Sequence, residues 1–217
     1  MIVKQNFFIT FEGGEGAGKS TQAKLLAEFL EGGGFPCQLT REPGGSAGAE
    51  EIRNLVVKGD VARWDVMTEA LLMFAARRDH LIKTVWPALK EGKTVICDRF
   101  SDSTMAYQGF GYADRGLGQE TIEKMYQIVV GDFKPDLTII LDMPVESGVS
   151  RALKRDANVN RYEKMGLDFH HNLREAFLKI EKNEPDRCVV INADRSIEEI
   201  SSDIISVVRA RLLKAQS

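Results

Sequence analysis

Cysteine is scarce in this 217-residue chain, and its three residues exclude more than they offer. Cys37, Cys97 and Cys188 are widely spaced, lie in apolar runs and lack metal-ligand spacing. That rules out a disulfide framework or a zinc module and suits reduced thiols in a cytosolic protein. Long apolar runs are missing too. None approaches the ~20 residues of a membrane-spanning helix, so no membrane partner is expected. Met1-Ile2-Val3-Lys4-Gln5-Asn6 is too short and polar for a signal peptide, which again favours a cytoplasmic location. An excess of one charge is also lacking. A net charge of −3 gives no field for nucleic acid, so any phosphate chemistry must come from locally placed basic residues. There is no internal repeat, no low-complexity tract, no Asn-Lys pair and no D-x-x-G. The guanine-reading and switch motifs of a regulatory GTP module are therefore absent, which weighs against the main non-enzyme alternative.

What is present is organised around Gly13-Gly14-Glu15-Gly16-Ala17-Gly18-Lys19-Ser20, which fits the phosphate-loop pattern G-x-x-x-x-G-K-[ST]. An apolar run, Phe7 to Phe11, precedes it and predicts a buried strand. Thr21 to Leu30 follows with helical spacing of its apolar residues. In this setting the glycines let successive N–H groups turn toward one anion, and the helix N-terminus adds its dipole. Lys19 can reach β and γ phosphates, and the Ser20 hydroxyl can bind Mg²⁺.

The remainder alternates between strand and helix signals. Strands are expected at Cys37–Thr40, Thr94–Asp98, Leu137–Asp142 and Cys188–Asn192. Helices are expected at 47–57, 67–84, 119–130, 168–183 and from Ile197 onward. Trp86-Pro87 marks the end of the 67–84 helix or a kink near it. Five strands alternating with helices predict a parallel sheet covered on both faces, with the phosphate-loop strand at its centre. The length suits one α/β domain, residues 1–217, with a small mobile insert.

Strand C-termini in such sheets face the ligand crevice, which singles out Arg41 and the pair Asp98-Arg99. Phe74 and Arg78 are four apart on one helix and share a face, suited to stacking a base and bonding its edge. Ser101 to Gly109 carries several hydrogen-bonding side chains; a Ser101-capped helix start is the plainer alternative. Asp142 has the form of a Walker B acid or caps the turn that follows. Arg151 and Arg155 share a helix face, and Asp156 to Arg161 then loses apolar periodicity, so a mobile flap is expected at about 151–162. The arginines exceed what one triphosphate needs, so a second phosphorylated ligand is inferred.

These segments together resemble the bacterial thymidylate kinases. The resemblance rests on Phe11-Glu12-Gly13 with Glu15-Gly16-Ala17-Gly18-Lys19-Ser20, on Thr40-Arg41-Glu42-Pro43-Gly44-Gly45, on Leu72-Met73-Phe74-Ala75-Ala76 with Arg78, and on Asp98-Arg99. Ser103-Thr104 with Ala106-Tyr107-Gln108-Gly109, Pro135-Asp136-Leu137-Thr138 and Leu141-Asp142 complete it. It implies a P-loop NTPase-type five-stranded parallel sheet flanked by helices, MgATP as donor, dTMP as acceptor, and a homodimer. Other nucleoside monophosphates as acceptor, or a non-catalytic nucleotide-binding protein, are the alternatives.

By that resemblance the ATP phosphates are held by Lys19 and the loop from Gly13 to Thr21, with Ser20 and Asp98 serving the metal. Arg41 and Arg99 would hold the dTMP phosphate, and Asp98 would orient Arg99. Phe74 would stack on thymine, and Arg78 would bond its O4. Thr104 and Gln108 would read the base edge, Tyr107 would crowd C2′, Glu15 would accept from the 3′-hydroxyl, and Pro43 would line the methyl pocket. The loop has only Glu15 and Ala17 where one branch of the family carries an arginine. The transition-state role therefore falls to flap arginines, Arg151 and Arg155, with Arg161 as a rival to Arg155. Arg77 stands where the family often has an uncharged or acidic residue.

Overall fold

Strand β1 (Phe8–Gly13) is buried along its whole length. A strand with no exposed face belongs at the centre of a sheet covered on both sides. In the computed structural model, which describes residues 6–155 and 161–214 with the side chains of Arg155 and residues 212–214 excluded, that is its place. The sheet is parallel with order β2-β3-β1-β4-β5, where β2 is Cys37–Arg41, β3 Thr94–Asp98, β4 Leu137–Asp142 and β5 Cys188–Asn192.

The helices are α1 (Lys19–Gly32), α2 (Ala47–Val57), α3 (Val66–His80), α4 (Trp86–Lys90), α5 (Ser101–Thr104), α6 (Gly118–Val129), α7 (Val145–Arg155), α8 (Leu167–Asn183) and α9 (Ile197–Lys214). Strand alternation sorts β1 between two layers. Ile9 and Phe11 meet Ala23, Leu26 and Leu30 of α1 and Ile200, Ile204 and Val208 of α9. Phe8 points the other way, among Leu81, Val85, Val95 and Phe100. Thr10 and Glu12 share that second side and are fully buried. A polar seam thus runs through an otherwise apolar layer, directly below the phosphate loop.

Two helical stretches depart from the expected pattern for one reason. The 67–84 helix does not stop at Trp86-Pro87. It widens into a π-turn (Leu81–Val85), and the Trp86 N–H bonds Leu81 O five residues back. The helix then continues through Pro87, whose missing N–H is tolerated in the first turn after the bulge. Likewise α5 runs into a π-helical stretch, Met105–Gly111, instead of a plain capped helix. π-turns rotate side chains relative to an ideal helix, which spacing arguments do not capture.

Parallel pairing places all strand C-termini at one edge. Register sets Phe11 opposite Asp98, Arg41 opposite Asp98, and Gly13 opposite Leu141. The phosphate loop, Arg41, Asp98 and Asp142 therefore emerge side by side. Across the loop, α7 packs backbone to backbone: a Cβ on Gly16 would run into the Gly148 carbonyl. Only glycine, at φ +70°, permits that approach.

Candidate active site

A cavity of about 300 Å³ opens at this edge, lined by the loop, β2, β3, α2, α3 and the α5 region. Arg99 lies at its floor. Its backbone adopts φ 72°, rare for a residue with a side chain and costing roughly 1–3 kcal/mol. The guanidinium donates to Gly13 O (3.0 Å), Ser103 Oγ (3.1 Å) and Glu15 Oε1 (3.1 Å), and lies 5.1 Å from the Tyr107 ring centroid. Tyr107 donates to the same Glu15 oxygen at 2.7 Å. Burial would raise the Glu15 carboxyl, but Arg99, Lys19 and the Tyr107 hydroxyl outweigh it and hold the group at about 2.

Lys19 folds back on the loop, donating to Gly13 O (3.1 Å) and Gly14 O (2.6 Å). Burial and the nearby Arg99 charge lower it to about 8. Ser20 Oγ bonds the Asp98 carboxylate. Asp142 sits elsewhere: Arg174 grips it with two bonds, at 2.7 and 2.9 Å. The acid that meets the phosphate-loop serine is therefore Asp98.

Four arginines line the cavity: Arg41, Arg53, Arg77 and Arg99. Arg41 pairs with Glu50 (3.1 Å) and is half exposed. Arg53, on α2, donates to Pro43 O at 2.7 Å. Burial and the Arg41 charge lower Arg53 from its usual value, with Arg99 adding to the effect. Pro43 itself lines the cavity.

The α3 side differs from expectation. Arg77, not Arg78, faces the cavity. Its Nε donates to Glu42 (2.8 Å) and its Nη2 to Thr104 Oγ1 (3.0 Å), while Nη1 is buried without a partner. Glu42 is also bonded by His80 Nδ1 at 2.9 Å. Arg78 is turned outward, donating to Val129 O (2.9 Å) over the Trp86 ring. The two arginines are 100° apart on the helix, so only one can reach Glu42. Phe74 is likewise corrected. It is buried behind the Arg77 guanidinium, 4.9 Å from its ring centroid, and the aromatic rings lining the cavity are Phe100, Tyr107 and Tyr162.

Thr104 and Gln108 both line the cavity. Gln108 is fully buried; its amide nitrogen donates to Glu69 (3.1 Å) and Tyr162 (3.3 Å), while its Oε1 has no partner. Glu69 is a hub that also accepts from Tyr112 (2.9 Å), Tyr162 (3.1 Å) and Arg161.

Arg161 is therefore a clamp. It is 2 % exposed and also donates to Val56 O (2.5 Å) and Val61 O (3.1 Å), away from the cavity. Arg151 reaches Asp194 at 3.0 Å, on the loop after β5, and does not line the cavity. The Arg155 side chain and residues 156–160 lie outside the described residues.

Arg53 and Arg77 were the residues that spacing missed. Arg53 lies one turn from Glu50 and so shares the face that meets Arg41, the one signal available. Arg77 and Arg78, at three and four residues from Phe74, satisfy the same-face rule equally, and only the position of Glu42 separates them.

A family model described as thymidylate kinase matches residues 11–204. The thymidylate kinase of Caulobacter vibrioides is 50 % identical over 208 residues, spanning 96 % of this chain and 98 % of that protein. That of Dinoroseobacter shibae is 49 % identical over 198 residues, spanning 91 % of this chain and 94 % of that protein. The crystal structure of thymidylate kinase from Ehrlichia chaffeensis superposes with a TM-score of 0.75 at 36 % identity, covering 94 % of this chain and 98 % of that one.

Two outcomes follow from the buried charges. Arg161→Leu strands Glu69 without its cation and is expected to cost ~3–5 kcal/mol in urea unfolding; an unchanged midpoint would contradict the clamp. For Glu15, the unfolded carboxyl titrates near 4.5 and the folded one near 2. Between those values the unfolded chain takes up a proton that the folded chain refuses. The contribution, ~3 kcal/mol, is therefore complete above the unfolded value and lost as pH falls through the folded one. Stability measured from pH 5 to pH 2 should fall more steeply for the parent than for Glu15→Gln. Parallel curves would show that the carboxylate is not held by Arg99.

Proposed function

The chain belongs to the thymidylate kinase family and phosphorylates dTMP to dTDP with ATP as donor, and from that premise we propose how its own residues divide the work. The observation that carries the division is a pair of unpartnered buried atoms in a cavity rich in arginine: a donor, Arg77 Nη1, and an acceptor, Gln108 Oε1. A thymine edge presents the complement, a carbonyl O4 and an N3–H. Cytosine presents the reverse at both positions and would leave both protein atoms unpaired, at roughly 1–3 kcal/mol each. Arg77 takes the O4 role in place of Arg78, supported by Glu42 and Thr104. Phe100 and Tyr107 supply the apolar walls, and Pro43 the methyl contact.

At the other end Arg41, Arg53 and Arg99 receive the dTMP phosphate. Glu15 spends Oε1 on Arg99 and Tyr107, so Oε2 is the oxygen left for the 3′-hydroxyl. Tyr107, held by that bond, stands against C2′ and favours deoxyribose. Lys19 leaves the Gly13 and Gly14 carbonyls for the ATP phosphates, which the loop amides from Gly13 to Thr21 also bind. Mg²⁺ fits Ser20 and Asp98: a hydroxyl and a carboxylate already in contact are hard oxygen donors. Among the described residues no group of three or more acidic, histidine or cysteine side chains could cage it, which suits an ion held mainly by phosphate and water. When bound, the ion would neutralise charge on the phosphate oxygens.

No general base is required, because the acceptor oxygen belongs to a phosphate ionised at neutral pH. Rate enhancement comes from positioning and from fixed positive charge around the transferring group. Arg151 and Arg155 of the flap at about 151–162 remain the proposed cover for that group. Arg151 does so by exchanging Asp194 for phosphate.

The location is proposed to be cytoplasmic; no described helix is long and apolar enough to cross a membrane. A homodimer is supported by exposed apolar side chains on adjacent helices, Met67 and Leu71 of α3 and Ile128 of α6, the last 84 % exposed.

The test is ADP release with MgATP and dTMP, dUMP, ribo-TMP, dCMP, AMP, GMP or no acceptor. A strong preference for dTMP, a deficit for dUMP worth at most about 1–3 kcal/mol for one methyl, and negligible release without acceptor are expected. Equal use of dCMP would overturn the Arg77–Gln108 assignment.

A further inference from the structure

Glu12 is the one carboxyl in the seam beneath the site that the division above leaves without a role. It is fully buried, and among the described residues no cation pairs with it. Burial, with Asp102 beside it, pushes it up to about 8. Asp102 is itself taken by Arg187, at 2.7 and 3.0 Å. A buried acid without a direct counter-ion is costly, and an apolar residue on β1 would pack there more cheaply.

What Glu12 does touch is the frame of Arg99. Its Oε1 accepts the Phe100 N–H at 2.7 Å, and its Oε2 accepts from Ser103 Oγ at 2.5 Å. Ser103 Oγ in turn accepts from Arg99 Nη1 at 3.1 Å. One residue earlier on β1, Phe11 O accepts the Arg99 N–H at 2.9 Å. Successive residues of the central strand thus grip successive residues of the turn, on both sides of the peptide whose Arg99 carries the left-handed φ of 72°. The turn and the guanidinium are thus both tied, directly or through Ser103, to the same side chain.

We propose that Glu12 is the positioning residue of Arg99: it pins the Arg99–Phe100 turn through the Phe100 N–H and aims the guanidinium through Ser103. The proposal rests on the reading that Arg99 holds the dTMP phosphate. Both bonds are accepted by the Glu12 carboxyl oxygens. Glutamine can accept from Phe100 only by offering its NH₂ to Ser103, which then has no acceptor for its own proton.

The test is a double-mutant cycle on kcat/KM for dTMP, with wild type, Glu12→Gln, Arg99→Ala and the double variant. Glu12→Gln should lose roughly ten- to hundredfold, the scale of a buried hydrogen-bonding group left unsatisfied. Its KM for ATP should stay near the parent value. In the Arg99→Ala background the same change should cost nothing further, because its route of action is gone. Multiplicative losses would mean that Glu12 only supports the fold and would overturn the proposal, as would a fully active Glu12→Gln. Near-normal Arg99→Ala would overturn the reading of Arg99 itself, and this proposal with it. Should Glu12→Gln not fold, Ser103→Ala cuts the relay at its middle, leaves the Phe100 bond, and enters the same cycle with the same expected outcomes.

Discussion

Fixed positive charge that is not neutralised is the constraint on which the rest of this molecule depends. Acids in the cavity are already engaged: Glu42 by Arg77 and His80, Glu15 by Arg99, Asp98 by Ser20. Two cations, the buried Lys19 and the half-buried Arg53, are held in another way. Lys19 rests on the carbonyls of Gly13 and Gly14, and Arg53 on that of Pro43. Carbonyl oxygens orient an ammonium or guanidinium without cancelling its charge. The cost of that arrangement appears in the pKa values: burial lowers both groups, Lys19 to about 8. On the proposed division of roles an arriving phosphate would relieve that cost, so the charge that is costly to bury would be the charge that binds substrate.

Around this charge, beside the Glu42–Arg77–His80 network, the described polar groups form two further buried systems. The seam from Thr10 and Glu12 through Ser103 steadies the β1–β3 end of the site. Glu69 gathers Arg161, Tyr162, Tyr112 and Gln108 on the other side, so the cavity-lining Gln108 and the residues after the 156–160 stretch share one anchor. Before that stretch, α7 is fixed to the phosphate loop by the contact of Gly16 with Gly148. The chain is thus anchored on both sides of residues 156–160, to the phosphate loop before them and to the Glu69 cluster after them.

The central strand, the phosphate loop and the five-strand alternation were legible because each rests on local chemistry: apolar runs, glycine geometry and helical period. Strand C-termini gave Arg41, Asp98 and Arg99 for the same reason, since a parallel sheet puts them at one edge. The sequence was silent where the deciding partner is distant along the chain. Arg77 and Arg78 differ only in which one meets Glu42, thirty-five residues upstream of Arg77. Arg53 is set at the cavity by Pro43, ten residues upstream, whose carbonyl it bonds. Asp142 had the right form for a metal-side acid, and only Arg174 on α8 shows it is committed elsewhere. The π-turns after His80 and Thr104 leave no periodic trace, yet they set which side chains face the cavity.

The most direct test of the central claim is the affinity of the protein for dTMP set against that for thymidine, measured by calorimetry at two salt concentrations. If positive charge from the carbonyl-held Arg53, with Arg41 and Arg99 beside it, drives recognition, thymidine should bind at least about a hundredfold more weakly, and the gap should narrow as salt rises. Equal affinities, or a gap indifferent to salt, would show that the base pocket alone holds the substrate and that the carbonyl-held cations do not serve it.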